Sequence, residues 1–399
     1  MKKGWQTKKL GEVCAFLNRG MSPAYLEEGG VCVLNQKCIR DHEVSYELSR
    51  RHDSKAKKVV EDRFIQLGDV LVNSTGTGTL GRVAQVRVEP EEATTVDSHV
   101  TIVRPKPGLF HLDFFGYMLV VIEDAIKEAG EGCGGQTELA RSVLADRFSV
   151  GYPHSLAEQQ RIVGLLDEAF EDIATAKANA EKNLQNARAL FESHLQSVFT
   201  QRGSGWVEKP MGEVCVVKDG THDSPKYVTD GIPFVTQKNI REEGLSFEKT
   251  KFIKQEDHDD FYRRSNAAHG DILISMIGAN RGMACIVDDE RIFSIKNVGL
   301  VKQNPSVNQQ FLLYFLKSPQ AAGFVQSASK GGAQEFVGLT ELRRFPVPLP
   351  SLERQSMFAK KFQFLREETQ SLAAIYTRKL AALEALKESL LHQAFSGEL

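Results

Sequence analysis

Trp5-Gln-Thr-Lys-Lys-Leu-Gly-Glu-Val-Cys14 is written a second time as Trp206-Val-Glu-Lys-Pro-Met-Gly-Glu-Val-Cys215, at an offset of 201 residues. The same offset carries Leu34-Asn-Gln-Lys-Cys-Ile39 onto Val235-Thr-Gln-Lys-Asn-Ile240. Gly68-Asp-Val-Leu71 falls on Gly270-Asp-Ile-Leu273 at 202, and Arg147-Phe-Ser-Val150 on Arg344-Phe-Pro-Val347 at 197. Leu190-Phe-Glu-Ser193 falls on Leu386-Lys-Glu-Ser389 at 196. The matches keep their order and the offset drifts by a few residues only, so the chain of 399 residues is one unit duplicated. Solenoid repeats run roughly 20–50 residues, far shorter than this. Two domain-sized copies predict a pseudo-twofold molecule that offers two similar faces to a partner.

Within each copy the hydrophobic period changes. The first part is mixed: Asp69–Val72 and Val100–Val103 read as short strands between Gly, Pro and Asn punctuation, and 112–129 and 309–325 read as helices. The second part reads as one long helix. In the first copy apolar or small residues fall at Ile162, Leu165, Ala169, Ile173, Ala176, Ala180, Leu184, Ala187, Phe191, Leu195 and Val198, an 11-residue repeat suited to helix–helix packing. Phe358, Phe362, Leu365, Leu372, Tyr376, Leu383, Leu386, Leu390 and Ala394 form a similar stripe in the second. Ser155 with Glu158 is a capping box, and Pro350-Ser351 with Glu353 opens the second helix in a similar way. About 45 residues at ~1.5 Å each make a rod of about 65 Å. A narrow apolar stripe of that length needs a partner, and the equivalent helix of the other copy is the nearest one. The expected fold is therefore α+β, with two similar globules (1–153 and 204–350) held apart by an antiparallel pair of spacer helices (154–203 and 351–399).

Composition narrows the function. Fifty Lys plus Arg against 52 Asp plus Glu leave a formal net charge of −2. That excludes a histone-like polycation but not a local basic face. The longest apolar run, Phe114–Ile122, is far short of the roughly 20 residues of a membrane span. The start has no apolar stretch behind its lysines, so no secretory signal is expected. The six cysteines form no Cys-x-x-Cys pair and read as reduced, buried thiols of a cytoplasmic protein.

No catalytic constellation emerges. Gly76-x-Gly78-x-x-Gly81 has the spacing of a dinucleotide fingerprint, yet Val83–Val88 after it reads as a strand where that fold needs a helix. The stretch also lacks the Gly-Lys-Ser/Thr ending of a phosphate loop. Asn304-Pro305-Ser306-Val307 is an incomplete version of an adenine-methyltransferase tetrapeptide. No metal ligands cluster, and no cofactor is expected in this chain.

Specific DNA recognition needs cations for phosphates and polar side chains at base edges. In the first copy Lys37 and Arg40 precede a loop that carries Thr75, Thr77, Thr79 and Arg82. In the second, Thr221 and His222 precede Lys238 and Asn239, and the loop after the Gly-Asp-Ile-Leu strand carries Asn280 and Arg281. Small hydroxyls on a Gly-rich loop let backbone approach DNA, and an adjacent Arg suits guanine or phosphate. Lys330, beside Gly331-Gly332, and its counterpart Gly134-Gly135-Gln136 are candidates for a second such loop.

Taken together, the chain resembles the specificity subunit of type I restriction-modification systems. The resemblance rests on the two-copy layout, Trp-x5-Gly-Glu-Val in each copy, the Gly-Asp-(Val/Ile)-Leu strand, Pro153-His-Ser-Leu-Ala-Glu-Gln-Gln-Arg-Ile162, and the ending Ala394-Phe-Ser-Gly-Glu-Leu399. The second copy departs at Ser351-Leu-Glu-Arg-Gln-Ser-Met357. The resemblance implies that each globule is a target recognition domain reading one half of a bipartite, asymmetric double-stranded DNA site. It implies that the helices set the spacing of the half-sites and dock two modification (methyltransferase) subunits, with two restriction subunits joining them. S-adenosylmethionine, ATP and Mg would belong to those partners, and this subunit would do no chemistry. A methyltransferase or nuclease acting alone, and a scaffold without sequence reading, are the competing classes.

Overall fold

The computed structural model describes residues 4–133, 136–329 and 335–399. The chain forms two compact units, Met1–Asn179 with Leu380–Leu399, and Ala180–Lys379. Each is α+β, and the two repeat one plan.

In the first unit a four-stranded antiparallel sheet has the order Cys14–Arg19, Val100–Pro105, Val70–Asn73, Val83–Gln85. In the second the order is Val217–Asp219, Val298–Val301, Ile272–Ser275, Ala284–Ile286. A second sheet in each unit contains one parallel pairing: Thr94–Val96 on Val31–Leu34, and Ser294–Ile295 on Ile232–Val235. A two-stranded ribbon closes each plan, Trp5–Lys9 with Ser149–Pro153 and Val207–Pro210 with Pro346–Leu349.

The repeated motifs are framework. Gly11 and Gly212 sit where helices Arg141–Asp146 and Leu339–Arg344 pass: a Cβ at Gly11 would lie 3.0 Å from that of Ala145, and one at Gly212 3.3 Å from that of Arg343. In Gly-Asp-(Val/Ile)-Leu the glycines take the left-handed region, Gly68 at φ 88° and Gly270 at φ 84°. The buried aspartates tie the strand entrance. Asp69 accepts both bonds of a bidentate Arg104 fork at 2.8 Å and the Gln66 N–H at 2.8 Å. Asp271 accepts from Lys302 Nζ at 2.5 Å and from the Ala268 and Gln303 amides at 2.9 Å.

Both long helices are present, Leu156–Thr200 and Leu352–Ser396. Within the first unit the start of one runs antiparallel to the end of the other, with Ile162, Leu166, Leu391 and Ala394 in its core. Arg161 donates to the Leu399 carbonyl and Lys177 pairs with Glu384. Within the second unit Leu195 and Phe199 pack with Ala359 and Phe362, and Arg354 donates to the Ser204 carbonyl.

The seam follows the expected stripe over most of its length. In the first helix Ile162, Ile173, Ala180, Ala187 and Leu195 are buried, and Ala169, Ala176, Leu184, Phe191 and Val198 are half-buried. Leu165 departs from it, 42% exposed while its neighbour Leu166 is buried. Leu372 and Leu386 depart likewise, both exposed in the second helix. At those turns the neighbouring residue faces the packed side, and the flanking leucine is left outside.

Two other expectations change. The 112–129 helix divides into Leu112–Val121 and Glu123–Glu128, and 309–325 into Gln309–Leu316 and Pro319–Ala328. Pro319 cannot donate to the preceding turn, so it opens a new helix, which Ser318 caps from Ala321 N. Ser155 Oγ accepts from Glu158 N at 3.3 Å as expected, but the corresponding partner of Ser351 is Arg354 N at 3.4 Å, not residue 353.

The Gln of the helix-opening motif is the tie between helix and globule. Gln159 is fully buried, accepts from His111 N at 2.8 Å and donates to the Pro153 and Leu109 carbonyls. Gln355 repeats this, accepting from Asn308 N at 2.9 Å and donating to the Pro350 carbonyl at 2.9 Å. The departure around Arg354 thus spares the residue that matters to the junction.

Candidate nucleic-acid interface

In each unit three segments meet at one end of the four-stranded sheet. The first is the chain after its first strand, from Gly20 or Gly220. A Cβ at Gly20 would fall 2.0 Å from the Val96 carbonyl oxygen, and one at Gly220 2.2 Å from that of Ile295, so only glycine permits this approach. The second is the turn that this glycine touches: Met21 bridges Asp97, and Thr221 bridges Lys296. The third is the Gly-rich loop after Val70–Asn73 or Ile272–Ser275.

The first unit's loop is folded on itself through three left-handed glycines, Gly76, Gly78 and Gly81. Leu80 N bonds the Gly76 carbonyl at 3.0 Å, and Arg82 Nη2 donates to the Gly78 carbonyl at 2.9 Å. Thr79 Oγ1 donates to the Thr75 carbonyl, while Thr77 stays exposed at the tip. Thr75 Oγ1 lies 2.6 Å from His99 Nδ1. The short helix Gln36–Cys38 abuts this loop, because Asn73 Nδ2 donates to the Gln36 carbonyl at 3.0 Å and a Cβ at Gly76 would meet Gln36 Oε1 at 2.9 Å. Lys37 is thereby carried, exposed, to the same neighbourhood, with Arg40 exposed two residues beyond the helix.

In the second unit Asn280 is exposed at the loop tip. Arg281 is more enclosed: Nε donates to Ser329 Oγ at 2.8 Å, Nη1 to the Gly278 carbonyl at 3.1 Å, and Nη2 pairs with Glu335. Lys238 is exposed on helix Gln237–Asn239. Asn239 does not join the surface. It is 5% exposed, and its amide is spent on Thr236 N and Oγ1, the Ser246 carbonyl and Thr250 Oγ1. Thr221 is buried and its hydroxyl donates to Asp223 at 3.0 Å. His222 is exposed, with Nδ1 2.7 Å from Asn297 Oδ1 and Nε2 3.3 Å from Asp219. Lys330 lies outside the described residues, as do Gly134, Gly135, Gly331 and Gly332. Next to them, Glu138 bridges Thr75 and Phe336 bridges Ile277, so the chain there runs beside the Gly-rich loop in both units.

Two positions of this junction, His99 and Asn297, escaped the sequence reading. Only the folded structure joins them to the site, through the close approach of Gly20 to Val96 and of Gly220 to Ile295.

The surroundings are held electrostatically. In the first unit the turn Asp41–His42, both residues at positive φ, is clasped by Glu123, which pairs with His42 at 3.2 Å and Lys127 at 2.5 Å and accepts from Val83 N at 2.9 Å. Burial works against the Glu123 charge, but His42, Lys127 and the Val83 amide together hold its carboxyl down at about 2. Burial pushes Asp97, the first residue of the facing turn, above the usual carboxylate value. Among the described residues no group of His, Cys, Asp and Glu is placed to hold a metal ion, and no helix is long and apolar enough to cross a membrane.

With this geometry in place, the comparisons converge. The model of the type I restriction modification DNA specificity domain matches the chain twice, at residues 2–184 and 203–378, and the chain belongs to that family. It is similar to the EcoBI specificity subunit of Escherichia coli, 27% identical over 271 residues, 61% of this chain and 57% of the relative. The MjaVIII specificity subunit of Methanocaldococcus jannaschii is 21% identical over 253 residues, 61% of this chain and 58% of the relative. The matches thus span little more than half the length of these relatives. A chain solved in work on complex assembly and conformational transition of the type I R-M system superposes with a TM-score of 0.78 at 18% identity, covering 100% of this chain and 99% of that one. The HsdS subunit of Thermoanaerobacter tengcongensis superposes with a TM-score of 0.67 at 18% identity, covering 100% and 98%. At such identity these likenesses show the fold.

Proposed function

We propose that this chain is the DNA-reading, non-catalytic specificity subunit of a type I restriction-modification complex. The observation that carries the reading is the duplicated junction of Gly-rich loop, glycine-led loop and facing turn, built on one framework in both units but with different side chains. Two similar readers with different surfaces suit a bipartite, non-palindromic site in double-stranded DNA. The ranges 1–153 and 204–350 are then the two target recognition domains, and 154–203 and 351–399 the spacer segments. Lys37, Arg40 and Lys238 supply phosphate contacts, which carry affinity but no sequence information. Thr75, Thr77, Thr79, Arg82, Thr221, His222, Asn280 and Arg281 belong to or flank the reading loops, Asn239 supports its turn from within, and Lys330, outside the described residues, is proposed as a further DNA contact on its sequence position.

The spacer helices dock two modification subunits, which bring S-adenosylmethionine. Two restriction subunits with ATP and Mg complete the assembly, in the cytoplasm. The test is a swap of residues 1–150 for those of another family member, assembled with the modification subunit. One half of the methylated site should change and the other stay. Equal change in both halves would refute the modular reading.

A further inference from the structure

Resting on that DNA-reading assignment, the structure points to two specificity-determining residues that motif reading passes over. We propose that His99 and Asn297, on the turn facing the glycine-led loop, each read a purine edge in their own half-site.

The turn is the same structural station in both units. Met21 N bonds the Val96 carbonyl and Thr221 N the Ile295 carbonyl, at 3.1 and 3.0 Å. Around this conserved backbone register the lengths differ. Between Gly20 and Pro23 lie two residues, whereas between Gly220 and Pro225 lie four. The turn compensates: three residues, 97–99, separate Val96 from Val100, and only two, 296–297, separate Ile295 from Val298. A framework that keeps its pairing while exchanging loop length and side chain at one corner, exposed at His99 and half-buried at Asn297, varies its ligand, not its fold.

The side chains at that corner are pre-organised. His99 is exposed and its Nδ1 is set by Thr75 Oγ1 at 2.6 Å; no hydrogen bond to its Nε2 is formed among the described residues. In the second unit the turn residue Asn297 is held at 2.7 Å by an imidazole, His222, which comes from the glycine-led loop and not from the Gly-rich loop. Asn297 holds the left-handed region at φ 52°, its amide N–H to Thr221 fixing the backbone at 3.1 Å. Among the described residues its side-chain nitrogen makes no hydrogen bond, and one carbonyl lone pair is left beside the His222 contact. An asparagine amide matches the N6/N7 edge of adenine, and an imidazole N–H matches the acceptors of guanine. Each side chain is already tied by one hydrogen bond, which lowers the ordering cost that falls on binding.

The full chain assembled with its modification subunit should be used to select bound sequences from a randomised duplex pool. Asn297→Gly deletes the side chain yet keeps the left-handed backbone available. It should relax preference at one position of one half-site by roughly ten- to a hundred-fold, leaving the other half unchanged. His99→Ala should do the same in the opposite half, with an unshifted thermal transition for each variant. Unchanged preference in both variants, while the wild-type complex still selects a two-part site, would overturn the assignment of these residues alone. So would uniformly weaker binding with the same preference, which is the mark of a phosphate contact. A wild-type complex without any preference would remove the DNA-reading function itself, and this assignment with it.

Discussion

The two units diverge most where the turn that follows the 36–40 or 237–241 segment meets the helices. In the first, His42, Glu123 and Lys127 clamp the turn shut. In the second, the equivalent Glu242 offers its carbonyl to Lys317 Nζ at 2.8 Å and Arg366 Nη2 at 3.4 Å. Beside it lies a cleft of about 1030 Å³ lined by Arg188, Glu192, Glu243 and Gln370 among others. Burial and the neighbouring Arg366 push the Lys317 ammonium below the usual lysine value.

The helix packing diverges as well. Phe170 and Lys387 in the first unit correspond to Arg366 and Phe191 in the second, so aromatic and cation exchange helices. Phe170 packs on Tyr117 with ring centroids 5.6 Å apart, and Phe191 on Tyr314 at 5.9 Å. What both units keep is narrower: the glycines of close approach, the buried aspartate at the strand entrance and the buried glutamine at the helix start. Those groups satisfy backbone polar atoms or admit backbone contact, and no neighbouring substitution can take over either task.

The largest test of that comparison is the aromatic core of the second unit. Phe199 is fully buried among Phe311, Phe315 and Phe362, while its counterpart Phe395 is half-buried against Phe114. Phe199→Ala should cost about 3–5 kcal/mol, and Phe395→Ala less. Hydrogen exchange of the two helix ends reads this, and equal costs would show that the units share one cooperative core. Gln159→Leu and Gln355→Leu come next, at about 1–3 kcal/mol each, because each strands buried backbone groups. Gln159, which makes three such bonds to two for Gln355, should lose more in chemical denaturation followed by the same exchange.

Smaller still are Lys37→Ala and Lys238→Ala in the DNA-bound complex. Each should lower the slope of log affinity against log salt by about 0.9 without altering base preference. An unchanged slope for one and not the other would make the phosphate grip one-sided.

Acid should produce the mildest distinction. Burial keeps His258 below the ordinary 6.5, and burial with Lys361 does the same for His194, so both favour the neutral ring in the native state. Their contribution is complete above pH 6.5 and is lost as pH falls below it. Glu123, held at about 2 from an ordinary 4.5, contributes fully above pH 4.5 and loses this between 4.5 and 2. Exchange protection in the second unit should therefore decline first on acidification. The reverse order would mean that other carboxylates dominate.

The duplication, the two helices of 45 residues and the alternation of mixed and helical parts were legible in the residues, because each is written in local pattern. Most of the helix seam was legible too, but not the choice between Leu165 and Leu166, equally apolar neighbours of which packing buries only the second.

The candidate site divides in the same way. Residue types and loop positions along the chain determined where polar and cationic groups gather, since turns and Gly-rich loops follow from local backbone chemistry. Which of those groups remain available is a matter of long-range contact. Asn239 and Asn297 carry the same amide, yet one is closed in by Ser246 and Thr250 and the other stays half-buried beside the exposed His222. The way the following loop folds back, bringing the Ser246 carbonyl and the Thr250 hydroxyl onto Asn239, decides that, and the folded structure alone supplies it.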